Sequence, residues 1–497
     1  MNGSRNFLRR TTTYGLGALL ALTGAYALQI FDWRYLPIQV PMLAVPMLLI
    51  FSSCWYYTKH RVRVTELETC PLSVDVFVTS CGEDLNLIRS TLLAAREMRG
   101  EHETWLLDDA NSPECRAITE ELGVGYLTRN GCKDFKAGNI NAALAKTSGD
   151  VIVIFDVDHR PQPEFLERAL PHFADPGIGF VQVMLTFSNR SSSWTARAAI
   201  ETTHEYFNLI SPGKDAYKVA SLMGSNALIR RSALKGIGGY RPGLAEDLET
   251  SIALHADGWH SAYVAEPLAP GLAPEDYRGF VKQQAKWSRG VMEAALRAMK
   301  GPFWALNSAQ KAAYLLRFSY YLAAPTAFCG SMVAALCVMF NLTFFEGSLR
   351  KLLPFLLVAA ITRTLAHRSL AITPEARTGI LMRGNLLVIA TWPAYLRSLW
   401  ATIWRSPTTF VATPKSKSAK MRTVELLPQL AALCFTIAAL SIATAQDTIS
   451  SMPAAAGLCV VHVVAYTALL PSLSLSTRLR RAIAAGKFLR FPKAIFR

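Results

Sequence analysis

Six long apolar runs constrain this chain more than any other feature. They cover residues 14–31, 37–57, 315–340, 352–371, 424–444 and 455–473. Each is close to the roughly 20 residues that a helix needs to cross a bilayer. A cleavable signal peptide does not explain the first run, because a second follows almost at once and no small-residue cleavage site is evident. The interval between the second and third runs, about 60–312, reads as soluble α/β. The expectation is an integral membrane protein with a large inserted domain.

Charge gives this arrangement a direction. Arg5, Arg9 and Arg10 precede the first run, and Lys59, His60, Arg61 and Arg63 follow the second. The tail after the sixth run carries Arg478, Arg480, Arg481, Lys487, Arg490, Lys493 and Arg497 and no acid. The short segments 32–36 and 445–454 have little positive charge. By the positive-inside rule, both termini and the inserted domain face the cytoplasm. The net charge of +16 therefore reads as topology and attraction to anionic lipid, with some pull on an anionic substrate. It does not point to nucleic acid. The nine cysteines form no C-x-x-C pair, which argues against zinc and a disulfide framework and suits a reducing cytosol.

Within the soluble interval, strand and helix signals alternate. Strands are expected at 73–80, 102–110, 124–128 and from 151, and helices at 85–98, 113–122 and 136–148. That order implies a mostly parallel sheet with helical crossovers. Ligands of such sheets sit at the carboxyl ends of the strands. Residues 302–314 read as an amphipathic helix leading into the third run. Residues 383–404 hold Pro393, Arg397 and four aromatics, which points to a helix lying in the membrane interface. The polar loop 405–422 follows.

Five short motifs carry candidate chemistry, and each has a bland reading alone. In VIVIFDVDHRPQP (151–163), Asp156 and Asp158 leave one side of an extended chain. Two hard oxygen donors suit Mg²⁺ or Mn²⁺, and His159 could add a nitrogen; a lone D-x-D is more often a solvated turn. Asp108 and Asp109 end an earlier strand, as a nucleotide-binding pair or as the start of a polar loop. Lys136 opens a helix where phosphate oxygens could sit, or where a lysine is simply solvated. Glu246 and Asp247 start a helical stretch after a glycine-rich turn. That is ordinary capping by acids, or it makes Asp247 a general base. Gln283, Lys286 and Trp287 share one helix face with i, i+3, i+4 spacing. They form an amphipathic surface with one buried tryptophan, or a site where Trp287 stacks on a sugar and Lys286 holds a leaving pyrophosphate.

Taken together and in order, these motifs resemble those of processive family 2 glycosyltransferases, in particular bacterial cellulose synthase catalytic subunits. The family pattern D-D, K-A-G-N, D-x-D-H, T-E-D, Q-x-x-R-W and F-x-V-T-x-K is met here by Asp108-Asp109, KAGN (136–139), DVDH (156–159), AED (245–247), QQAKW (283–287) and FVATPK (410–415). SLMGSNALIRR (221–231) is similar to the F-F-C-G-S segment, and the likeness covers roughly residues 15–475. It implies a GT-A type, mostly parallel sheet domain inserted in an α-helical bundle of about six spans plus interfacial helices. The implied divisions are an N-terminal pair of spans (1–60), a cytosolic catalytic domain (61–312), a channel region (313–475) holding the interfacial helix 383–404 and a gating loop 405–422, and a basic tail (476–497).

The resemblance also implies residue roles. Thr79, Ser80, Glu83, Asp108 and Asp109 would hold uridine, and Lys136 the nucleotide sugar. Asp156, Asp158 and His159 would hold Mg²⁺ or Mn²⁺ on the diphosphate. Asp247 would be the base, with Glu246 beside it. Gln283, Gln284, Lys286 and Trp287 would line the acceptor site, Lys286 also steadying the leaving group. Phe410, Thr413 and Lys415 would cover the bound nucleotide. Trp287, Trp392 and Trp400 are candidate stacking platforms, with interface anchoring preferred for Trp400.

Several residues depart from the family pattern. Lys286 replaces arginine and loses its bidentate fork, Ala245 replaces threonine, Ala412 replaces valine and Met223 stands for cysteine. The first strand ends T-S-C-G-E, and no cyclic-di-GMP receptor domain follows the sixth run. The implied activity is polymerisation of a nucleotide sugar, UDP-glucose first, into a β-glucan exported across the inner (plasma) membrane as exopolysaccharide. Partners are the growing polysaccharide, the lipid bilayer and periplasmic export proteins. Rival readings are a curdlan or mixed-linkage, chitin-like or hyaluronan-like synthase, and a transferase of single sugars to a lipid carrier. More distant rivals are a glycoside hydrolase with paired acids and a catalytically silent channel subunit.

Overall fold

The computed structural model describes residues 14–19, 21–22, 36–62, 71–342, 344–379, 381–406 and 423–469. The expected first span is described only in part. The basic tail, and all of the loop 405–422 except its first two residues, lie outside the described residues.

Nine strands lie among the described residues: β1 (Val74–Ser80), β2 (Glu103–Asp108), β3 (Gly125–Leu127), β4 (Val151–Asp156), β5 (Ile178–Val183), β6 (Thr186–Phe187), β7 (Ala227–Arg230), β8 (His260–Val264) and β9 (Pro270–Gly271). Seven form one sheet in the order β3-β2-β1-β4-β7-β5-β8, and β6 pairs with β9 separately. β1, β2, β3 and β4 are parallel, whereas β7 runs antiparallel to both β4 and β5. The central strands are buried on both faces, as their continuous apolar runs require. Val76, Val78, Val153 and Phe155 pack into one layer with Ile88 and Leu92. Phe77, Ile152 and Ile154 pack into the other with Ile140 and Leu234. The period of two along each strand divides the residues this way.

Short polar caps fix where the crossover helices start. Asp84 accepts from the amides of Asn86 and Leu87 before helix Leu85–Arg96, and Ser112 accepts from Cys115 before Pro113–Leu122. A buried ion pair closes the sheet at the amino ends of β1 and β4. Arg231 donates to Asp75 at 2.7 Å and also to the Gly149 and Leu144 carbonyls and to Thr147.

One long element joins this domain to the apolar helices. Helix Trp194–Glu205 runs through a π-helical turn, Tyr206–Ile210, into Ser211–Asp215. Glu201 on it accepts from Arg383 and from the Gly384 amide, both at 3.1 Å. Glu205 is paired with Arg363 at 2.7 Å and accepts from the Tyr57 hydroxyl. The Asn208 amide oxygen accepts from Ile372, from the Thr373 amide at 2.8 Å and from the Thr373 hydroxyl.

Two helices are long and apolar enough to cross a membrane, Ser308–Phe340 and Val424–Ala445. Helices Met382–Ala390 and Trp392–Ile403, bent by 46° at their junction, make a third if they are taken as one span. The count of six is thus not reached among the described residues: most of the first run lies outside them, and two further runs fall short for physical reasons. The run 352–371 lies in helix Phe344–Leu370, which also carries Arg350, Lys351, Arg363 and Arg368. The run 455–473 meets helix Pro453–Thr467, only 15 residues long. The stretch 383–404 is a bent pair rather than the single interfacial helix expected.

Candidate active site

One cavity of about 1240 Å³ reaches from the carboxyl ends of the parallel strands to the apolar helices. Thr79, Ser80, Glu83, Asp109, Lys136, Asp156, Asp158, His159, Glu246, Asp247, Gln283, Gln284, Lys286 and Trp287 all line it. Its apolar end includes Ile50, Leu356, Ala360, Val460 and Val464. Residues far apart in the chain therefore share one space.

At the strand end, β1 and β4 lie side by side with Thr79 level with Asp156, and the Thr79 hydroxyl donates to Asp156 Oδ1 at 3.3 Å. The Lys136 ammonium is bonded to Asp156 Oδ1 and donates to the Gly224 carbonyl at 2.7 Å. Glu83 accepts from the Ser80 hydroxyl at 3.1 Å and from the Cys81 amide at 2.7 Å, which shapes the turn after β1.

Asp108 and Asp109 have different surroundings. Asp108 is fully buried and does not line the cavity. Its carboxylate accepts from the amides of Ala110 and Ser112 and from the Tyr126 hydroxyl. The expectation that it contacts uridine is corrected: it braces the β2 turn. Asp109 does reach the cavity, held by Arg129 at 2.7 and 3.0 Å. Arg129, not anticipated from the sequence, also donates to the carbonyls of Lys133 and Phe135. There it holds two successive positive φ angles, 60° at Asp134 and 46° at Phe135, an uncommon backbone for residues other than glycine. That turn launches the Lys136 helix.

The D-x-D-H residues suit a divalent cation only in part. Asp156 and Asp158 offer hard oxygens. His159 Nδ1 lies 3.1 Å from the Ala269 carbonyl, so it donates there and Nε2 keeps its lone pair. The ring packs on Gly271, where a Cβ would come within 2.5 Å of Cε1. Yet among the described residues no group of three or more His, Cys, Asp and Glu is gathered around a metal position. The residues fit a cation that takes one or two carboxylates from the protein and its other ligands from phosphate and water.

Glu246 and Asp247 begin helix Glu246–Ala256. Asp247 Oδ1 accepts from the Leu248 amide at 2.7 Å. Burial pushes both carboxyls above their ordinary range, and for Glu246 the Asp247 charge adds to it. The cations Arg317, Lys136 and Lys286 pull Asp247 the other way. Arg317 is a second residue missed from the sequence; it lines the cavity with its guanidinium 5.3 Å from the Tyr206 ring.

Helix Tyr277–Ala298 brings the QQAKW residues. It passes so close to Ala245 that a Cβ at Gly290 would come within 2.8 Å of the Ala245 nitrogen. That approach sets Lys286 and Trp287 near Asp247. Trp287 is 37% exposed and faces the cavity. Gln284 is buried and accepts from the Tyr395 hydroxyl at 2.9 Å, tying two helices together. Trp392 lies stacked on Phe328 with ring centroids 3.6 Å apart, so that face is taken and the platform role expected for it is corrected. Trp400 is exposed and packs beside Trp404. Phe410, Thr413 and Lys415 lie outside the described residues.

The sequence profile described as "Glycosyl transferase family group 2" matches residues 151–366. The chain carries a family 2 glycosyltransferase domain. Within that class it is similar to bacterial cellulose synthases. It is 33% identical over 296 residues to a protein named cellulose synthase catalytic subunit [UDP-forming] from Xanthomonas axonopodis pv. citri (strain 306), covering 58% of this chain and 40% of that one. It is 31% identical over 300 residues to the protein of the same name from Pseudomonas fluorescens (strain SBW25), covering 58% and 39%. The matched part thus spans about two fifths of each of these relatives. Among solved structures, the mannosyltransferase PcManGT from Pyrobaculum calidifontis, in complex with GDP-Man and Mn²⁺, superposes with a TM-score of 0.48 at 16% identity, over 75% of this chain and 98% of that one.

Proposed function

We propose that this protein is a processive, inverting glycosyltransferase that polymerises a nucleotide sugar, UDP-glucose first, into a β-glucan and passes it across the inner membrane. One observation carries the reading: carboxylates at the strand ends share a continuous cavity with apolar residues of the helices that would lie in lipid. The cellulose-synthase relatives support the choice of polymer class. In this reading residues 1–60 supply two spans and 61–312 the cytoplasmic catalytic domain. Residues 313–475 complete a six-span channel, 405–422 cover the nucleotide and 476–497 meet anionic lipid. Export proteins would receive the polymer in the periplasm.

The residues divide the chemistry as follows. Thr79, Ser80, Glu83 and Asp109 hold the base and ribose. Lys136 steadies the donor's phosphates while bracing Asp156. Asp156 and Asp158, with His159 beside them, would hold Mg²⁺ or Mn²⁺, which supplies neutralisation of diphosphate charge. Gln283 and Trp287 orient the terminal sugar of the acceptor. Asp247 takes the proton of the acceptor hydroxyl as its oxygen bonds to the anomeric carbon. The bond from that carbon to the diphosphate breaks on the opposite face, UDP leaves, and Lys286 meets its growing charge. Inversion gives a β-linkage.

The test is direct. The purified protein in lipid nanodiscs is incubated with UDP-glucose, UDP-N-acetylglucosamine, UDP-glucuronate and GDP-mannose, each with Mg²⁺ and with Mn²⁺. UDP release with an alkali-resistant β-glucan, read by linkage analysis, is the expected result. Polymer from another donor moves the reading to a chitin-like or hyaluronan-like product, and a single sugar on lipid overturns processivity.

A further inference from the structure

Arg317 sits in the first part of the apolar helix Ser308–Phe340. A charged residue in such a helix is costly unless it faces protein or a water-filled space. Arg317 faces the cavity. Its guanidinium lies over the Tyr206 ring, and its Nε has no hydrogen-bond partner among the described residues. Tyr314 and Tyr321, three residues before and four after it, pack in the same core cluster as Leu248, the neighbour of Asp247. The Tyr314 hydroxyl is also hydrogen-bonded to His255 Nδ1 at 2.6 Å, which ties the helix that carries Arg317 to the helix that carries Asp247.

The charges around Asp247 come from five directions. Glu246 and Glu249 share its helix, and Tyr240 lies in the turn before it. Lys136 faces it from helix Phe135–Leu144, Lys286 from helix Tyr277–Ala298, and Arg317 and Tyr321 from the apolar helix. Lys136 is already bonded to Asp156, and Lys286 is placed to meet the leaving diphosphate. In the proposed arrangement Arg317 is left to face Asp247, and a guanidinium stays charged at every working pH. It is one of three cations whose charge favours the Asp247 carboxylate.

We propose that Arg317 is a positioning residue: its fixed positive charge, set in the membrane-side wall of the cavity, keeps Asp247 in its proton-accepting form for each round of sugar addition. The proposal rests on the reading of Asp247 as the base and adds the group that sustains it.

The experiment is the pH profile of UDP release by the full chain in nanodiscs, from about pH 5 to 9, for the unmodified protein, Arg317→Gln and Arg317→Lys. Removing the positive charge favours protonated Asp247. The acid limb of Arg317→Gln should therefore move up by on the order of one pH unit, while its rate recovers towards the unmodified level at high pH. Arg317→Lys should keep the original limb. UDP affinity should stay within about twofold in both, because the donor is held elsewhere. Repeating the pair in a Glu246→Gln background assigns the limb to Asp247. An unmoved limb in Arg317→Gln overturns the proposal. So does a displaced limb in Arg317→Lys, which also decides the matter if the glutamine variant does not fold. Near-normal polymerisation by Asp247→Asn would instead remove the base reading itself, whatever the Arg317 variants do.

Discussion

Lys136 and Asp156 are bonded to each other across the mouth of the cavity, the lysine from a helix start and the aspartate from a strand end. The lysine also grips the Gly224 carbonyl at 2.7 Å. Three motifs distant in the chain therefore meet at one ammonium group. Asp156→Ala should remove the gain in UDP affinity on adding Mg²⁺ or Mn²⁺, measured by calorimetry on the detergent-purified protein. An undiminished gain would count against a role for Asp156 in holding the cation.

Asp247→Asn keeps the shape of the side chain and removes its basicity. Polymer formation in membrane vesicles should fall by about 10²–10⁴-fold, the usual worth of a general base. UDP binding should stay largely intact. A near-normal polymer yield would sink the assignment.

Asp108 and Asp109 should separate in their variants. Asp108→Ala removes the buried acceptor of two turn amides and a half-buried tyrosine hydroxyl, so it should cost about 1–3 kcal/mol of stability and lower the Tm of the catalytic domain. Asp109→Ala releases Arg129 at the cavity wall, so it should weaken UDP binding more than it lowers Tm. The reverse ranking would restore Asp108 to the nucleotide site.

The buried pair of Arg231 and Asp75 lies away from the cavity, against the Gly149 turn. Arg231→Ala leaves the Asp75 carboxylate buried without its partner. About 3–5 kcal/mol should be lost, seen as a fall in Tm with donor affinity unchanged in whatever fraction remains folded. A shift below 1 °C would contradict the burial argument.

Much of the catalytic domain was legible because its signals are local. β1, β2, β3 and β4 and the helices between them have ends within four residues of the spans read from apolar periodicity. β7 was not read: four residues, ALIR, in a stretch that stood out as a motif carry too little periodicity of their own. The acids of D-x-D-H and AED do share the cavity with the QQAKW residues. The Asp108–Asp109 pair was misread in one member, because adjacent residues on a strand leave it in opposite directions and the sequence does not say which one meets solvent. Arg129 and Arg317 were missed as single residues outside any motif. Arg317 did have a signal, a lone arginine inside the apolar run 315–340.

The helix that carries Glu201, Glu205 and Asn208 ends in a five-residue π-helical turn. Its three polar side chains reach three separate segments beyond the sheet domain, at 383–384, 363 and 372–373. Rocking the domain on such a mount would strain all three attachments together. If the chain elongates a polymer as proposed, these three attachments oppose a stroke that tilts the sheet domain and favour one made by side chains and loops bordering the cavity.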